Sequence, residues 1–215
     1  MLGADVRRDE AWARVTAMSQ RLSRAQAWSL LTEWVESESL RRHCLAVEAS
    51  MRAYARAGAH DEELWGVVGL LHDMDYERFP DLETGHPRMA MAELASRGVD
   101  PAIVRAIASH ADFMNVSRDS DMEKTLYAVD ELSGFVLACS KVRPEGIHGL
   151  TPKSVKKKLK QPSFAAAVNR DDVTQGAEAL GVDFDEHVGV VIAALEPLAD
   201  ELGIAGQAAQ PAADA

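Results

Sequence analysis

Cysteine is scarce in this chain of 215 residues, which has two cysteines, Cys44 and Cys139. Neither belongs to a Cys-x-x-Cys pair, so they form no zinc knuckle or redox motif. Both lie in apolar helical patterns, where a free buried thiol packs as a small hydrophobic side chain. We therefore expect two reduced cysteines and no disulfide.

Long apolar runs are also missing, and no stretch of about 18 apolar residues is available for a transmembrane helix. The N-terminal residues, MLGADVRRDEAWARV, include acids and lack the apolar core of a signal peptide. Positive charge is in deficit, because 23 lysines and arginines face 34 acids and leave a net charge of -11. A negative field disfavours an extended nucleic-acid partner but is compatible with a small anionic substrate. We predict a cytoplasmic protein with no membrane partner; the pattern does not predict its oligomeric state.

What the sequence does contain is the pattern of an all-α protein. Alanine, leucine, glutamate and arginine are plentiful, and apolar residues recur at three- and four-residue steps in four stripes. Gly58, Gly98 and Gly181 stand where helices are expected to end. Pro101 fits the first turn of a helix that begins after Asp100. The predicted fold is a helical bundle with its functional site between the central helices.

We predict one helical domain flanked by two terminal segments. In chain order, the predicted parts are an N-terminal extension (1–22), a domain (23–205) made of a core (38–140), a basic segment (141–163) and C-terminal helices (164–205), and a disordered tail (206–215). Two ordered loops, 74–87 and 111–120, interrupt the core and are expected to shape any substrate pocket.

Several histidines and two aspartates are predicted to point inward. His43 lies on the apolar face of its helix, and the pair His72-Asp73 directly follows an apolar run. His110 ends an apolar stripe, and Asp130 lies within an apolar segment. A buried carboxylate without a partner costs several kcal/mol. A divalent cation would compensate the carboxylates and use the imidazoles, so the set predicts a metal site.

The order of these residues is similar to that of a known family. His43, the pair His72-Asp73 and the distant Asp130 resemble the H…HD…D signature of the HD superfamily of metal-dependent phosphohydrolases. The segment LLHDMD resembles the LLHDIG segment of that family, with Met-Asp in place of Ile-Gly. The resemblance covers about residues 38 to 140. It implies that these four residues bind a first metal ion and that Asp73 can bridge to a second.

Two further histidines bear on the number of metal ions. Some members of the family add two histidines between the His-Asp pair and the last aspartate, and this chain offers His86 and His110 there. The resemblance implies two-metal occupancy; the alternative is one metal, with His86 and His110 holding substrate phosphate. Asp73, His86 and His110 are the predicted catalytic residues. The cofactor would be one or two divalent ions of manganese, iron, zinc, nickel or cobalt, which the sequence does not separate.

Three acidic residues are candidates for orienting the attacking water. A metal ion with an open position lowers the pKa of a bound water and polarises a phosphoryl oxygen. Asp75, Glu77 or Glu131 could orient that water, and their spacing does not choose between them. Glu131 is the weaker candidate, because on an ideal helix it points about 100° away from Asp130.

A basic segment follows the Asp130 helix. A threonine and a proline at 151–152 predict the start of a short helix. The lysines on one predicted face of that helix are Lys153, Lys156, Lys157 and Lys160. They form either a solvated surface or a positive rim that draws an anionic substrate toward the metal ions. On the second interpretation Arg143, Lys153 and Lys156 are substrate-binding residues.

Three functions are compatible with this pattern. The first is a phosphohydrolase that cleaves a small phosphate ester, with a nucleotide as the favoured substrate class. The second is a di-iron oxygenase of the HD type, which would cleave a C–C or C–P bond with the same six-residue ligand set. The third is a metal-stabilised binding module without turnover. Metal identity, oxygen dependence and phosphate release distinguish the three.

Overall fold

The computed structural model describes residues 20–207, so most of the predicted N-terminal extension and of the predicted tail lies outside the described residues. The described backbone is helical and contains no strand, which confirms the predicted all-α class. Its helices are α1 (Arg24–Trp34), α2 (Glu38–Ala57), α3 (Glu62–Leu71), α4 (Arg88–Ser96), α5 (Pro101–His110), α6 (Asp121–Lys141), α7 (Pro152–Leu159), α8 (Arg170–Leu180) and α9 (Phe184–Leu195). Short 3₁₀ turns cover Asp112–Met114 and Glu196–Leu198. Within residues 20–207 no helix is both long and apolar enough to cross a bilayer.

Helix ends follow the local signals in the sequence. The Asp100 side chain caps α5 and Pro101 occupies its first turn, as predicted. Thr151 caps α7 in the same way, ahead of a proline. Gly58 ends α2, and Gly181 ends α8 in the left-handed conformation that glycine adopts without strain.

The core lies around the two longest helices, α2 and α6. Helix α2 packs against α3, α6 and α9, and α6 packs against α5 and α8. Fully buried side chains such as Met51, Leu71, Leu132 and Phe135 fill the space between them. Cys44 and Cys139 are free and buried, as the sequence predicts.

Two glycines allow close contact between pairs of helices: Gly69 between α3 and α2, and Gly176 between α8 and α6. A Cβ at Gly69 of α3 would lie 2.9 Å from the carbonyl oxygen of Val47 in α2. A Cβ at Gly176 of α8 would lie 2.6 Å from the Cα of Ala128 in α6. Neither position has room for a side chain. The close packing at Gly69 sets α3 directly on α2, and that at Gly176 sets α8 directly on α6.

Candidate metal centre and its cleft

Three helices bring one group of donor atoms together, which we call the inner group: His43 from α2, His72 at the end of α3, and Asp130 from α6. His43 Nε2 lies 3.2 Å from His72 Nε2 and 3.0 Å from Asp130 Oδ1. His72 Nε2 lies 3.3 Å from the same Asp130 oxygen. Asp73 adds its Oδ2 at 3.6 Å from His43 Nε2 and 3.5 Å from His72 Nε2.

These distances match those between ligands of a single metal ion. Bonds of about 2.0–2.2 Å in a tetrahedral or octahedral site place neighbouring ligand atoms about 3.0–3.5 Å apart. The inner distances of 3.0 to 3.6 Å agree with that spacing. The side chains are also mostly shielded from solvent, since His72 is 0% exposed and Asp130 is 18% exposed. The residues present therefore fit a divalent ion, both in spacing and in donor chemistry.

The second oxygen of Asp73 faces a separate pair of histidines, which we call the outer group: His86 and His110. Asp73 Oδ1 lies 3.5 Å from His86 Nε2 and 3.6 Å from His110 Nε2. His86 comes from the end of the 74–87 loop, and His110 is the last residue of α5. Asp73, His86 and His110 thus form a second group that could hold a metal ion. One carboxylate lies between the two groups.

The ring orientation of three histidines is fixed by a hydrogen bond at Nδ1, the nitrogen that faces away from Asp73. Nδ1 of His72 lies 2.8 Å from the Gly69 carbonyl oxygen, and Nδ1 of His110 lies 2.5 Å from the Ile107 carbonyl oxygen. Nδ1 of His86 lies 2.8 Å from Asp75 Oδ1. An Nδ1–H donated to these oxygens leaves the Nε2 lone pair directed at Asp73, which is the form that binds a metal.

The acidic residues near the His-Asp pair have other roles than the predicted one. Asp75 is fully buried; beside its bond to His86 it accepts the amide N–H of Ala90. Glu77 accepts the amide N–H groups of residues 36 and 37 ahead of α2. Neither carboxylate lines the cleft, so the prediction that Asp75 or Glu77 orients water does not agree with the structure. Asp75 instead orients an outer histidine.

Electrostatics within the inner group favour its charged forms. Burial alone lowers the pKa of His72, but the carboxylates of Asp73 and Asp130 outweigh burial and raise that pKa to about 10. Burial raises the pKa of Asp130, yet the nearby His72 and His43 bring it well below its usual range. In the absence of a cation, the two carboxylates therefore favour a second proton on His72, at Nε2. A bound cation must displace that proton, so metal binding releases acid.

A cleft of about 500 Å³ opens above the two groups. Its walls come from the 74–87 loop, the turn after α5, the face of α6, and the residues before and at the start of α8. Glu131, which the sequence ranked as the weaker candidate for orienting water, also lines this cleft. Burial, with a smaller contribution from the Asp130 charge, raises the pKa of Glu131 to about 7. The cleft extends around α6 far enough to include a residue 100° from the Asp130 direction.

The predicted substrate-binding cations are not in this cleft. Arg143, Lys153 and Lys156 are absent from its lining. Arg143 donates to the carbonyl oxygens of residues 146 and 148, and Lys156 pairs with Asp185 at 2.7 Å. Helix α6 advances about 1.5 Å per residue, so its end lies about 16 Å beyond Asp130. The basic helix α7 follows that end, so the structure favours the solvated surface over a rim at the metal ions.

The sequence did not identify the outer wall of the cleft. Tyr127, Phe113, Asn169 and Asp172 all line it. Tyr127 precedes Asp130 by three residues on the same helical face, which is a signal that could have found it. Asn169 and Asp172 reach the cleft because α8 docks on α6, and no spacing rule in the sequence predicts that contact.

The remaining histidines lie outside both groups. His60 stacks on Trp65, with ring centroids 4.6 Å apart, and His148 lies 3.1 Å from Glu196. His187 is buried in α9, where it contacts residues of α2 and α6. None of the three was predicted to bind metal.

Comparison with known proteins gives one match. Residues 40–134 match the family model described as HD domain. That range contains every residue of the inner group, the outer group and the shared carboxylate: His43, His72, Asp73, His86, His110 and Asp130. The search of curated proteins and the search of solved structures gave no match. Residues 40–134, which carry both donor groups, therefore form an HD domain.

Proposed function

We propose that this protein is a metal-dependent phosphohydrolase that releases phosphate from a small ester. The observation that carries the proposal is the position of Asp73, whose two oxygens face two separate groups of histidines. The inner group with Asp73 would hold one divalent ion, and the outer group with Asp73 would hold a second. Membership of a superfamily of metal-dependent hydrolases supports the same assignment.

The chain contributes a fixed, partly desolvated set of donors. Bound divalent ions supply a water of lowered pKa and positive charge at the phosphoryl oxygens. Asp73 lies between the two groups and would contribute one oxygen to each. The backbone carbonyls behind His72 and His110, and Asp75 behind His86, keep the imidazoles in the metal-binding tautomer. In hydrolysis the water oxygen bonds to phosphorus, the P–O ester bond breaks, and the alcohol leaves with a proton.

The cleft supports a small substrate. A volume of about 500 Å³ admits one ester of modest size and leaves room for water at the metal ions. Its floor is formed by His43, Asp73, His86, His110 and Asp130, so any ligand that fills the cleft reaches the donor atoms.

The experiment pairs metal content with turnover. The purified protein is supplemented with manganese, iron, zinc, nickel or cobalt, and bound metal is counted by elemental analysis. Phosphate release is measured with p-nitrophenyl phosphate and with a panel of phosphate monoesters, nucleotides included. We expect up to two ions per chain and metal-dependent release. Asp73→Asn should lower release by more than about 100-fold, because it removes a charged ligand from both groups.

Asp200→Asn is the matched control, since Asp200 is exposed and lies outside the cleft. A protein that binds no metal after supplementation would overturn the proposal. Bound iron with oxygen-dependent turnover and no phosphate release would replace it with the oxygenase function. Tight metal binding without turnover on any substrate would leave a binding module.

A further inference from the structure

The cleft has a marked charge asymmetry between its floor and its outer wall. Beyond the metal donors, the wall carries three more carboxylates, those of Asp112, Glu131 and Asp172. Among the described residues that line the cleft there is no lysine or arginine. Within this lining, a dianionic phosphate would therefore meet full positive charge only where metal ions bind. The outer wall offers negative charge and hydrogen-bond acceptors.

The nearest arginines are engaged elsewhere. Arg118 pairs with Asp112, donates to the carbonyl oxygen of Ser109 and lies over the Tyr127 ring. Arg88 donates to the carbonyl oxygen of Leu82. Both guanidinium groups contact residues of the cleft wall, and neither arginine belongs to its lining.

We propose that the cleft selects phosphate monoesters whose leaving group carries a protonated amine. The phosphate would lie at the two histidine groups, and the ammonium at Asp172 on the outer wall. The proposal rests on the proposed phosphohydrolase function and adds the class of leaving group.

Asp172 is positioned to bind an ammonium group. Its Oδ1 accepts the Tyr127 hydroxyl at 3.1 Å, and its Oδ2 accepts the Asn169 side-chain amide at 2.7 Å. These two bonds fix the carboxylate plane and leave a lone pair on each oxygen for a further donor. An ammonium has three N–H donors, and its bond to a carboxylate is about twice as strong as a neutral hydrogen bond.

The rest of the wall favours the same ligand. Tyr76 and Phe113 line the cleft and are 46% and 40% exposed as residues. The Arg88 guanidinium lies 5.9 Å from the Phe113 ring centroid, so a cation already lies over this ring. Exposed aromatic faces attract alkylammonium groups. A second or third phosphate on the substrate would instead face Asp172 and Glu131, and the lining of the cleft offers no lysine or arginine to pair with it. The wall should therefore reject nucleoside diphosphates and triphosphates.

The test compares one isosteric pair of substrates that differ in one charge with two substrates that carry added negative charge. Release of phosphate is measured for 2-aminoethyl phosphate, propyl phosphate, phosphoglycolate and a nucleoside triphosphate on the metal-loaded protein. We expect kcat/KM for the amine to exceed that for the propyl ester by about 10-fold, as one charge-assisted hydrogen bond predicts. Phosphoglycolate and the triphosphate should be slower than the propyl ester.

Two variants test whether Asp172 causes the preference for the amine over the propyl ester. Asp172→Asn should bring the ratio between amine and propyl ester to within about twofold. Asp171→Asn, which changes the exposed neighbour outside the cleft lining, should leave the ratio unchanged. Melting temperatures of both variants show whether the fold is intact. An unchanged ratio in folded Asp172→Asn would overturn the assignment of Asp172.

A binding measurement separates this proposal from the proposed function. Calorimetry compares 3-aminopropylphosphonate with butylphosphonate, neither of which has an ester bond to hydrolyse. The amine should bind about 10-fold more tightly. Equal hydrolysis of all monoesters with equal phosphonate binding would overturn the amine preference and leave the phosphohydrolase. No hydrolysis of any ester, p-nitrophenyl phosphate included, with the binding preference intact, would overturn the phosphohydrolase instead.

Discussion

The inner and outer donor groups differ in how the fold holds them and in the charge they carry. The inner group stands on α2, α3 and α6 and has a carboxylate of its own, Asp130. The outer group comes from the end of a loop and the end of α5, and it relies on the shared Asp73. Behind His86, the buried Asp75 supplies a further negative charge without facing the cleft.

This difference predicts two metal subsites of unequal strength. An ion in the inner group would face two carboxylates and two imidazoles on packed helices. An ion in the outer group would face one carboxylate and two imidazoles. We expect the inner ion to be retained through purification and the outer ion to exchange with the medium.

The largest effects on metal content and turnover are expected when one histidine is removed from each group in turn. His43→Ala should remove the inner ion and lower turnover by more than about 100-fold. His86→Ala should lose one ion and retain the inner one. Elemental analysis of both variants, purified in parallel, checks the result. Equal metal content in the two variants would show that the subsites are equivalent.

Asp75→Asn tests the support behind the outer group. The amide keeps one acceptor oxygen but loses the charge, so we expect outer-ion affinity to fall by about 10- to 100-fold. The inner ion should bind as before. Calorimetric titration with metal resolves the two equivalents, and thermal unfolding controls for the loss of the buried bond to Ala90. A change confined to the inner ion would contradict the role given to Asp75.

The pH dependence of the free energy of unfolding tests the burial of His187 between α9, α2 and α6. His187 Nδ1 lies 2.5 Å from the Tyr54 hydroxyl, and its Nε2 lies 3.0 Å from the carbonyl oxygen of Ala128. Burial lowers the pKa of His187, so the folded state resists a proton that the unfolded state binds below about pH 6.5. The free energy of unfolding should therefore fall as pH decreases from 7 to 5, by up to about 1.4 kcal/mol per unit from this group.

Urea unfolding of the metal-free protein measures that slope, and His187→Gln should reduce it. The comparison between wild type and variant cancels contributions from the metal ligands, which titrate in both. A variant with the wild-type slope would assign the pH dependence to other groups.

The smallest effect is expected outside both groups. The double variant Lys153→Gln, Lys156→Gln should change kcat/KM by less than about twofold, since neither lysine lines the cleft. Steady-state kinetics at low ionic strength checks this, because low salt enlarges any long-range attraction. A fall of about 10-fold would restore the interpretation of α7 as a rim that attracts substrate.

Residues on regular helices were the most predictable from sequence. His43 and Asp130 lie on apolar helical faces, and the 3.6-residue period indicates their direction without further knowledge of the fold. Helix ends were equally predictable from sequence, because capping by Asp100 or Thr151 is a local interaction. The all-α class follows from the same two signals.

Residues placed by loops or by distant contacts were not predictable in this way. Asp75 follows the His-Asp pair, where turns replace the helix, so the sequence could not tell that its side chain points at His86. Glu131 was ranked as the weaker candidate because the 100° rule describes the helix but not the width of the cleft beside it. Asp172 reaches the site through the contact between Gly176 and Ala128, which joins helices distant in sequence.

The position of Asp73 has a consequence for cooperativity. Ions at the two groups would share one carboxylate, so their binding equilibria are thermodynamically linked. Whatever factor the inner ion applies to the affinity of the outer ion, the outer ion applies to the inner by reciprocity. At metal concentrations that would fill both groups, a substitution confined to the outer histidines would then be detectable as a change in the affinity for the inner ion, although no ligand of that ion has been altered.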